Sequence, residues 1–186
     1  MIQLKFLKNQ TVLTTPDLRL EQLSQLHFEG LFASLNHLET RKLTGTHATF
    51  KPEEVHQFLA RLPSRDDRAD WAVIRQSDNV FLGEIVLNDL DLDNQSMNFR
   101  IGLVPEYLGQ GYGTQATRAV VTYGFDQVKL HRISLGVYAF NPRAQRVYEK
   151  CGFIREGIER QALFWDGQWV DQIIMSVLST DPRVEQ

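Results

Sequence analysis

A glycine-rich segment carries the clearest chemical signal in the sequence: Leu108-Gly109-Gln110-Gly111-Tyr112-Gly113-Thr114, placed between a predicted strand and a predicted helix. Glycine lets the backbone approach a ligand closely, and the unpaired N–H groups at the start of a helix attract an anion. The segment lacks the Lys of a P-loop, and its G-x-G-x-G spacing differs from the G-x-G-x-x-G of dinucleotide-binding folds. Two interpretations stay open here: a turn that holds a phosphate, and a plain glycine-rich connection.

The segment from Asn141 to Phe153 has the signals of a complete short helix. Asn141 is a favourable N-cap, and Gly152 can end the helix in the left-handed conformation. Tyr148 and Cys151 fall on the apolar stripe of this helix, because Ala144, Val147, Tyr148 and Cys151 have the spacing i, i+3, i+4 and i+7. Tyr148 either packs in the core with its hydroxyl hydrogen-bonded or takes part in chemistry. Cys151 could serve as a nucleophile, but its place favours a small buried apolar residue.

Carboxylates that could act as a general base are Glu84, in a predicted strand, and Glu106, beside the glycine-rich segment. A base must reach the proton that it removes, either directly or through water. Glu84 can equally be an exposed strand residue, and Glu106 a turn residue. A water chain is a third candidate for this role.

Composition limits the class of protein. The chain has 186 residues, 42% of them hydrophobic and 23% charged, which predicts one globular domain over residues 1–186. The formal charge of −3 excludes a generally basic nucleic-acid surface, and no apolar run is long enough to span a membrane. The single Cys151, together with a start that does not resemble a signal peptide, predicts a cytoplasmic protein. The five histidines are not spaced as a metal-ligand set, so we expect no metal.

The predicted elements follow the order αα, βββ, α, β, α, ββ. Apolar residues from Leu23 to Leu35, Leu26 among them, predict a first helix after a short strand at Leu18 and Leu20. Further helices are predicted from Lys51 to Pro63, from Thr114 to Val128 and from Asn141 to Cys151. Strands are predicted over Trp71–Ile74, Phe81–Leu87, Met97–Val104 and Ile133–Tyr138, around Phe153, and over Ala162–Trp165 and Trp169–Leu178. The aromatic residues Phe164, Trp165 and Trp169 could border a substrate pocket, although their alternating strand spacing favours packing in the core.

Taken together, the segments Val104–Thr114 and Asn141–Phe153 resemble the GCN5-related N-acetyltransferase (GNAT) superfamily. The tail from Gly157 to Leu178, with Asp166-Gly167-Gln168-Trp169-Val170-Asp171, is similar to the branch of ribosomal-protein N-terminal acetyltransferases. The resemblance implies an α+β fold with a twisted, mostly antiparallel sheet and helices on both faces. It also implies that two neighbouring parallel strands, around Ile101–Val104 and Ile133–Tyr138, splay apart to admit acetyl-CoA.

The same resemblance implies roles for individual residues. The pantetheine arm of acetyl-CoA would pair with the backbone of Leu103 and Val104 and bond to Asn141, and Tyr148 would lie near the thioester sulfur as general acid. The pyrophosphate would be held by backbone amides of the glycine-rich segment: Gly109, Gln110, Gly111, Tyr112, Gly113 and Thr114. A primary amine, either a protein N-terminal α-amine or a small molecule, would attack the thioester directly in a ternary complex.

This sequence also departs from the family pattern at three positions. Leu108 replaces a Gln or Arg, Ala144 replaces a Ser, and Arg100 replaces an acidic residue that often precedes Ile-Gly. Because of Arg100, the family's usual assignment of the general base does not carry over directly to this sequence. Two other classes remain open: a sensor that binds acyl-CoA without turnover, and a nucleotide-binding protein. Exposed terminal strands also allow a homodimer.

Overall fold

The computed structural model describes residues 1–183. Within that range eight strands form one mixed sheet, and six α-helices cover its two faces. The helices are α1 (Lys5–Lys8), α2 (Phe28–Asn36), α3 (Leu38–Thr44), α4 (Pro52–Arg61), α5 (Tyr112–Tyr123) and α6 (Pro142–Lys150). The strands are β1 (Leu13–Thr14), β2 (Leu18–Gln22), β3 (Ala69–Arg75), β4 (Phe81–Asp91), β5 (Ser96–Leu103), β6 (Arg132–Tyr138), β7 (Ile154–Trp165) and β8 (Gln168–Leu178). No helix in the described range is long and apolar enough to cross a membrane.

The sheet has the order β1-β2-β3-β4-β5-β6-β8-β7, and every neighbouring pair is antiparallel except β5 and β6. These two parallel strands pair only between Ser96–Asn98 and Arg132–Ser134. Beyond Asn98 the two strands share no further register, so a gap opens between the second half of β5 and the second half of β6. The mixed fold and the splayed parallel pair that the family resemblance implies are both confirmed.

The alternation of side chains along the strands divides the core between two faces of the sheet. On one face Trp71, Ile85 and Phe99 pack in the larger cluster, which also contains Val120 of α5. On the other face, residues of β3 such as Ile74 pack against apolar residues of α2 and α4. Neighbouring residues on one strand therefore serve opposite sides of the molecule.

The predicted start of the first helix, at Leu23, is wrong. Leu26, which we assigned to its apolar side, is 92% exposed. Ser24 and His27 enclose a 3₁₀ turn, with the Ser24 N–H donating to Nδ1 of His27, so the α-helical geometry of α2 begins only at Phe28. Two short elements, α1 and β1, were not predicted, because neither is long enough to show a periodic pattern.

The C-terminal strands also differ from the prediction. β7 is one continuous strand from Ile154 to Trp165, and it carries an irregularity where Gln161 adopts a φ of 54°. Phe164 and Trp169 are largely exposed and pack on each other at 4.9 Å between ring centroids. Trp165 stacks on His47 at 5.1 Å. These aromatic residues therefore lie at the turn between β7 and β8 and do not belong to the core clusters.

Gly83 provides a test of how closely β4 and β5 approach one another. Its φ is 150°, and a Cβ there would overlap the carbonyl oxygen of Gly102 and lie 2.8 Å from the Cα of Leu103. These are backbone atoms that cannot move without disturbing the sheet, so we expect Gly83→Ala to lower the free energy of unfolding by about 3 kcal/mol or more. Urea denaturation followed by circular dichroism measures this free energy of unfolding.

Gly157→Ala is the matched control, because a Cβ at Gly157 meets nothing within 4 Å. We expect this variant to stay within about 0.5 kcal/mol of the parent chain. Equal unfolding midpoints for the two variants would contradict the close approach at Gly83.

Candidate active site

A cavity of about 680 Å³ opens where β5 and β6 part. Its walls come from α3, both parted strands, the glycine-rich loop and α6. This volume lies in the range typical of small-molecule sites. The gap in the sheet is therefore the most favourable place for a ligand in the described part of the chain.

The cavity has two arms, one on each face of the sheet. Phe99 points toward α6, where its ring meets the ring of Tyr148 at 6.0 Å between centroids. The next residues alternate, so Arg100 and Gly102 face the opposite side. There the methyl groups of Thr40 and Thr44 lie 3.9 Å from the Cβ position of Gly102.

We name these arms by the helices that cover them. The α6 arm comprises the glycine-rich loop and the cavity-lining residues of α6. The α3 arm comprises Thr40, Thr44, Asn98, Arg100, Gly136 and Gln172. A molecule in one arm can meet a molecule in the other only through the gap between β5 and β6.

The glycine-rich loop presents free backbone donors to the α6 arm. Gly109 and Gly111 have φ angles of 79° and 86°, in the left-handed region that favours glycine, and Gly111 is the N-cap of α5. Within residues 1–183, the amides of residues 109–113 have no hydrogen-bond acceptor. Five unsatisfied N–H groups at the positive end of a helix dipole suit a phosphate or pyrophosphate.

Not every residue of the loop faces the cavity. Gly109, Gly111, Gly113 and Thr114 line it, whereas Gln110 and Tyr112 do not. Gln110 donates its side-chain amide to the carbonyl of Glu106 at 3.1 Å, and the phenol of Tyr112 lies beside the guanidinium of Arg75. These two side chains stabilise the loop from outside, so any ligand contact at their positions is through the backbone.

On β5, the backbone groups that face the gap belong to Leu103. The N–H of Val104 donates to the carbonyl of Leu82 at 2.8 Å, and its carbonyl accepts from the N–H of Tyr107 at 3.0 Å. Hydrogen bonding alternates along an antiparallel pair, so Leu103 directs its N–H and C=O away from β4. Of the two residues predicted to pair with a ligand, Leu103 has the free groups and Val104 does not.

Helix α6 positions Asn141 and Tyr148 on the cavity wall. The Oδ1 of Asn141 accepts from the N–H of Ala144 at 3.1 Å, so Asn141 caps the helix and keeps its side-chain NH₂ for another partner. Tyr148 is only 8% exposed and packs between Phe99 and Phe153. Burial raises the pKa of its phenol, so the hydroxyl stays protonated at neutral pH.

Cys151 also lies next to this region but lacks the properties of a nucleophile. Burial raises the pKa of its thiol to about 11, and the thiol lies 3.7 Å from the carbonyl oxygen of Thr114. A thiol that stays protonated at neutral pH is a poor nucleophile. The geometry favours the interpretation of Cys151 as a packing residue.

Neither of the two carboxylates considered as bases lines the cavity. Glu106 is exposed in the turn before the glycine-rich loop. Glu84 is half-buried on β4, directly opposite Gly102, on the face of the α3 arm. Burial and the nearby charge of Asp70 raise the pKa of Glu84 to about 7, although the cation of Arg100 acts in the opposite direction. A carboxylate with a pKa near 7 is suited to act as a base at neutral pH.

Sequence reasoning missed the α3 arm entirely. α3 is short, and its sequence, LETRKLT, has no clear apolar stripe that would have predicted a helix. Its role in the cavity follows from Gly102 and Gly45, which let the helix approach the sheet closely. A Cβ at Gly45 would collide with the ring of Tyr138.

The split sheet, the loop of free amides and the buried tyrosine beside the gap together form the arrangement expected of an acetyl-CoA-dependent acyltransferase. Comparison with known families agrees: the model of the acetyltransferase (GNAT) domain matches residues 17–154. The chain belongs to the GNAT family. It is an N-acetyltransferase that uses acetyl-CoA.

Individual relatives are 30–33% identical to this chain over the segments that align. "Probable N-acetyltransferase YjcK" of Bacillus subtilis is 33% identical over 131 residues, which are 69% of this chain and 71% of that protein. The spermidine N(1)-acetyltransferase of Vibrio cholerae is 30% identical over 108 residues, 58% of this chain and 62% of that protein. "Putative ribosomal N-acetyltransferase YdaF" of Bacillus subtilis is 30% identical over 104 residues, 56% and 57% of the two chains, in agreement with the predicted branch resemblance.

The fold is also that of a solved acetyltransferase. The crystal structure of spermidine N-acetyltransferase from Vibrio cholerae in complex with CoA and spermine superimposes with a TM-score of 0.84. The match covers 89% of this chain and 98% of that chain, at 22% identity. At that identity the likeness establishes a shared fold.

The raised pKa of Glu84 predicts a measurable effect on stability. In the folded protein this carboxyl binds a proton up to about pH 7, whereas in the unfolded chain it ionises near its ordinary value of 4.5. Its contribution to stability is therefore complete below pH 4.5 and is lost as the pH rises toward 7. We expect Glu84→Gln to remove a pH-dependent loss on the order of 2 kcal/mol between pH 5 and 7.5.

Urea denaturation of the parent chain and of Glu84→Gln across this pH range measures the difference. Asp91→Asn is a suitable control, because hydrogen bonds from Asn94 lower the pKa of Asp91 and its protonation lies below this range. Parallel stability curves for the parent chain and Glu84→Gln would show that Glu84 has an ordinary pKa.

Proposed function

We propose that this protein transfers the acetyl group of acetyl-CoA to a primary amine that binds in the α3 arm, by direct attack on the thioester in a ternary complex. The observation that carries the proposal is the pair of arms on opposite faces of the sheet, which meet only at the gap beside Tyr148. The acceptor is a small-molecule amine or the N-terminal α-amine of a protein. The names of the relatives support amine acetylation.

Acetyl-CoA occupies the α6 arm in this proposal. The free amides of residues 109–113 bind its pyrophosphate, and the N–H and C=O of Leu103 pair with the pantetheine amides. The side-chain NH₂ of Asn141 donates to the same arm. Arg143, Arg146 and Lys150 also line the cavity, so cationic side chains surround the phosphate-bearing part of this ligand.

Tyr148 acts at the leaving thiolate. Tyr148 lines the cavity and its hydroxyl stays protonated, so in this proposal the hydroxyl donates a hydrogen bond to the sulfur as negative charge develops. The raised pKa makes complete proton transfer from the phenol less favourable than in water. The contribution of Tyr148 is therefore strongest in the transition state, where the sulfur carries partial charge and the hydrogen bond is shared.

The attacking amine must lose its proton to become a nucleophile. Glu84 has a suitable pKa, but it lies on β4 opposite Gly102 and does not line the cavity. In this proposal its contact with the amine therefore passes through water. We propose this relay as the route of the proton, and Glu106, which is exposed in the turn before the glycine-rich loop, takes no part in it.

Replacement of Tyr148 tests the chemical step. We expect Tyr148→Phe to lower kcat about a hundredfold or more while the KM for acetyl-CoA stays nearly constant, because the ring still packs between Phe99 and Phe153. Release of CoA thiol, followed with a chromogenic disulfide, gives both constants. A kcat equal to that of the parent chain would remove Tyr148 from the mechanism. Unfolding curves for both proteins establish that the variant is folded.

Binding of acetyl-CoA separates the proposal from the two other classes. A ligand that binds only the folded state raises the free energy of unfolding by about 2.7 kcal/mol at a hundred times its Kd. We expect acetyl-CoA, and neither ATP nor NAD, to raise the melting temperature. Stabilisation by ATP or NAD alone would favour a nucleotide-binding protein. Stabilisation by acetyl-CoA without thiol release for any amine would favour a sensor.

A further inference from the structure

We propose that the amine acceptor carries a carboxylate close to its amine, as in a free amino acid, and that Arg100 binds this carboxylate in the α3 arm. The inference rests on the acetyl transfer proposed above and names the class of its second substrate. Arg100 then determines specificity for the acceptor and is not a catalytic residue.

The position of Arg100 is the first observation. It directly follows Phe99, whose ring meets Tyr148, so its side chain leaves β5 at the level of Tyr148 but on the other face. An anion bound there lies a short distance across the gap from the thioester. This geometry suits an acceptor whose amine and carboxylate are separated by few bonds.

The availability of Arg100 is the second observation. Its side chain is exposed and lines the cavity, and no carboxylate of residues 1–183 forms an ion pair with it. The nearby Asp70 is already bound by Arg68, which donates to both of its carboxylate oxygens at 2.6 and 2.7 Å. Glu84 holds its proton up to about pH 7, so it does not fully neutralise Arg100 at that pH.

The charge of the walls is the third observation. Within the described range, Arg100 is the one charged side chain that lines the α3 arm, and the other charged residues that line the cavity, Arg143, Arg146 and Lys150, are cations of the α6 arm. The other polar side chains of the α3 arm, such as Thr44, Asn98 and Gln172, are neutral. A polyamine would bring several positive charges beside Arg100, which is unfavourable, whereas a carboxylate would form a charge-assisted hydrogen bond with the guanidinium.

The experiment compares each of the twenty L-amino acids with its C-terminal amide, which keeps the amine but removes the negative charge. Spermidine represents polycationic acceptors. Calorimetric titration into the protein saturated with CoA measures recognition without chemistry, and thiol release from acetyl-CoA measures turnover. We expect at least one amino acid to bind about ten- to a hundredfold more tightly than its amide, and spermidine to bind more weakly than that amino acid.

Variants at Arg100 test the assignment of the residue. We expect Arg100→Gln to abolish the preference for the acid over the amide, and Arg100→Lys to recover part of it, since Lys keeps the charge but not the two-pronged geometry. Arg160→Gln is the matched control, because Arg160 is exposed on β7 and does not line the cavity. The KM for acetyl-CoA, which occupies the α6 arm in the proposal, should not change in Arg100→Gln.

The outcomes distinguish this inference from the proposed function. Selective binding of an amino acid through Arg100 without thiol release would support the inference and contradict acetyl transfer. Acetylation of spermidine or of amides at least as fast as of every amino acid would contradict the inference and support acetyl transfer. Two other results would also overturn the inference. One is an equal effect of Arg100→Gln and Arg160→Gln on the preference for the acid over the amide. The other is that every amino acid binds more weakly than its amide.

Discussion

The parting of β5 and β6 is the constraint on which the rest of the site depends. The two strands pair over three residues and then separate, so the facing edges keep backbone donors and acceptors without sheet partners. Each strand is held on its other side, β5 by β4 and β6 by β8, and this keeps the gap open. The glycine-rich loop follows β5 and α6 follows β6, so both elements begin at the mouth of the gap.

A single strand supplies both arms because side chains alternate along it. Phe99 and Leu103 belong to the face of α5 and α6, and Asn98, Arg100 and Gly102 belong to the face of α3. The small size of Gly102 admits α3, and Gly83 on β4 permits the close approach of the neighbouring strand. Moving β5 by one residue in its register with β4 would turn each of these side chains to the opposite face of the sheet and so exchange the two arms.

Local signals in the sequence were sufficient for the α6 arm. The φ angles of Gly109 and Gly111, the cap at Asn141 and the buried Tyr148 all follow from residue types at short spacing. The α3 arm depends on contacts between residues far apart in the chain, such as Thr40 with Gly102, and nothing in the local pattern indicates them. For the same reason the hydrogen bonds that Val104 forms with Leu82 and Tyr107 could not be deduced before the register of β4 and β5 was known.

The placement of the two arms on opposite faces has a kinetic consequence. In the proposed ternary complex acetyl-CoA occupies the α6 arm and the amine occupies the α3 arm, so neither substrate would block the arm of the other and binding could follow either order. Under the same proposal free CoA would compete with acetyl-CoA for the α6 arm, the acetylated product would compete with the amine for the α3 arm, and the two forms of inhibition would be independent.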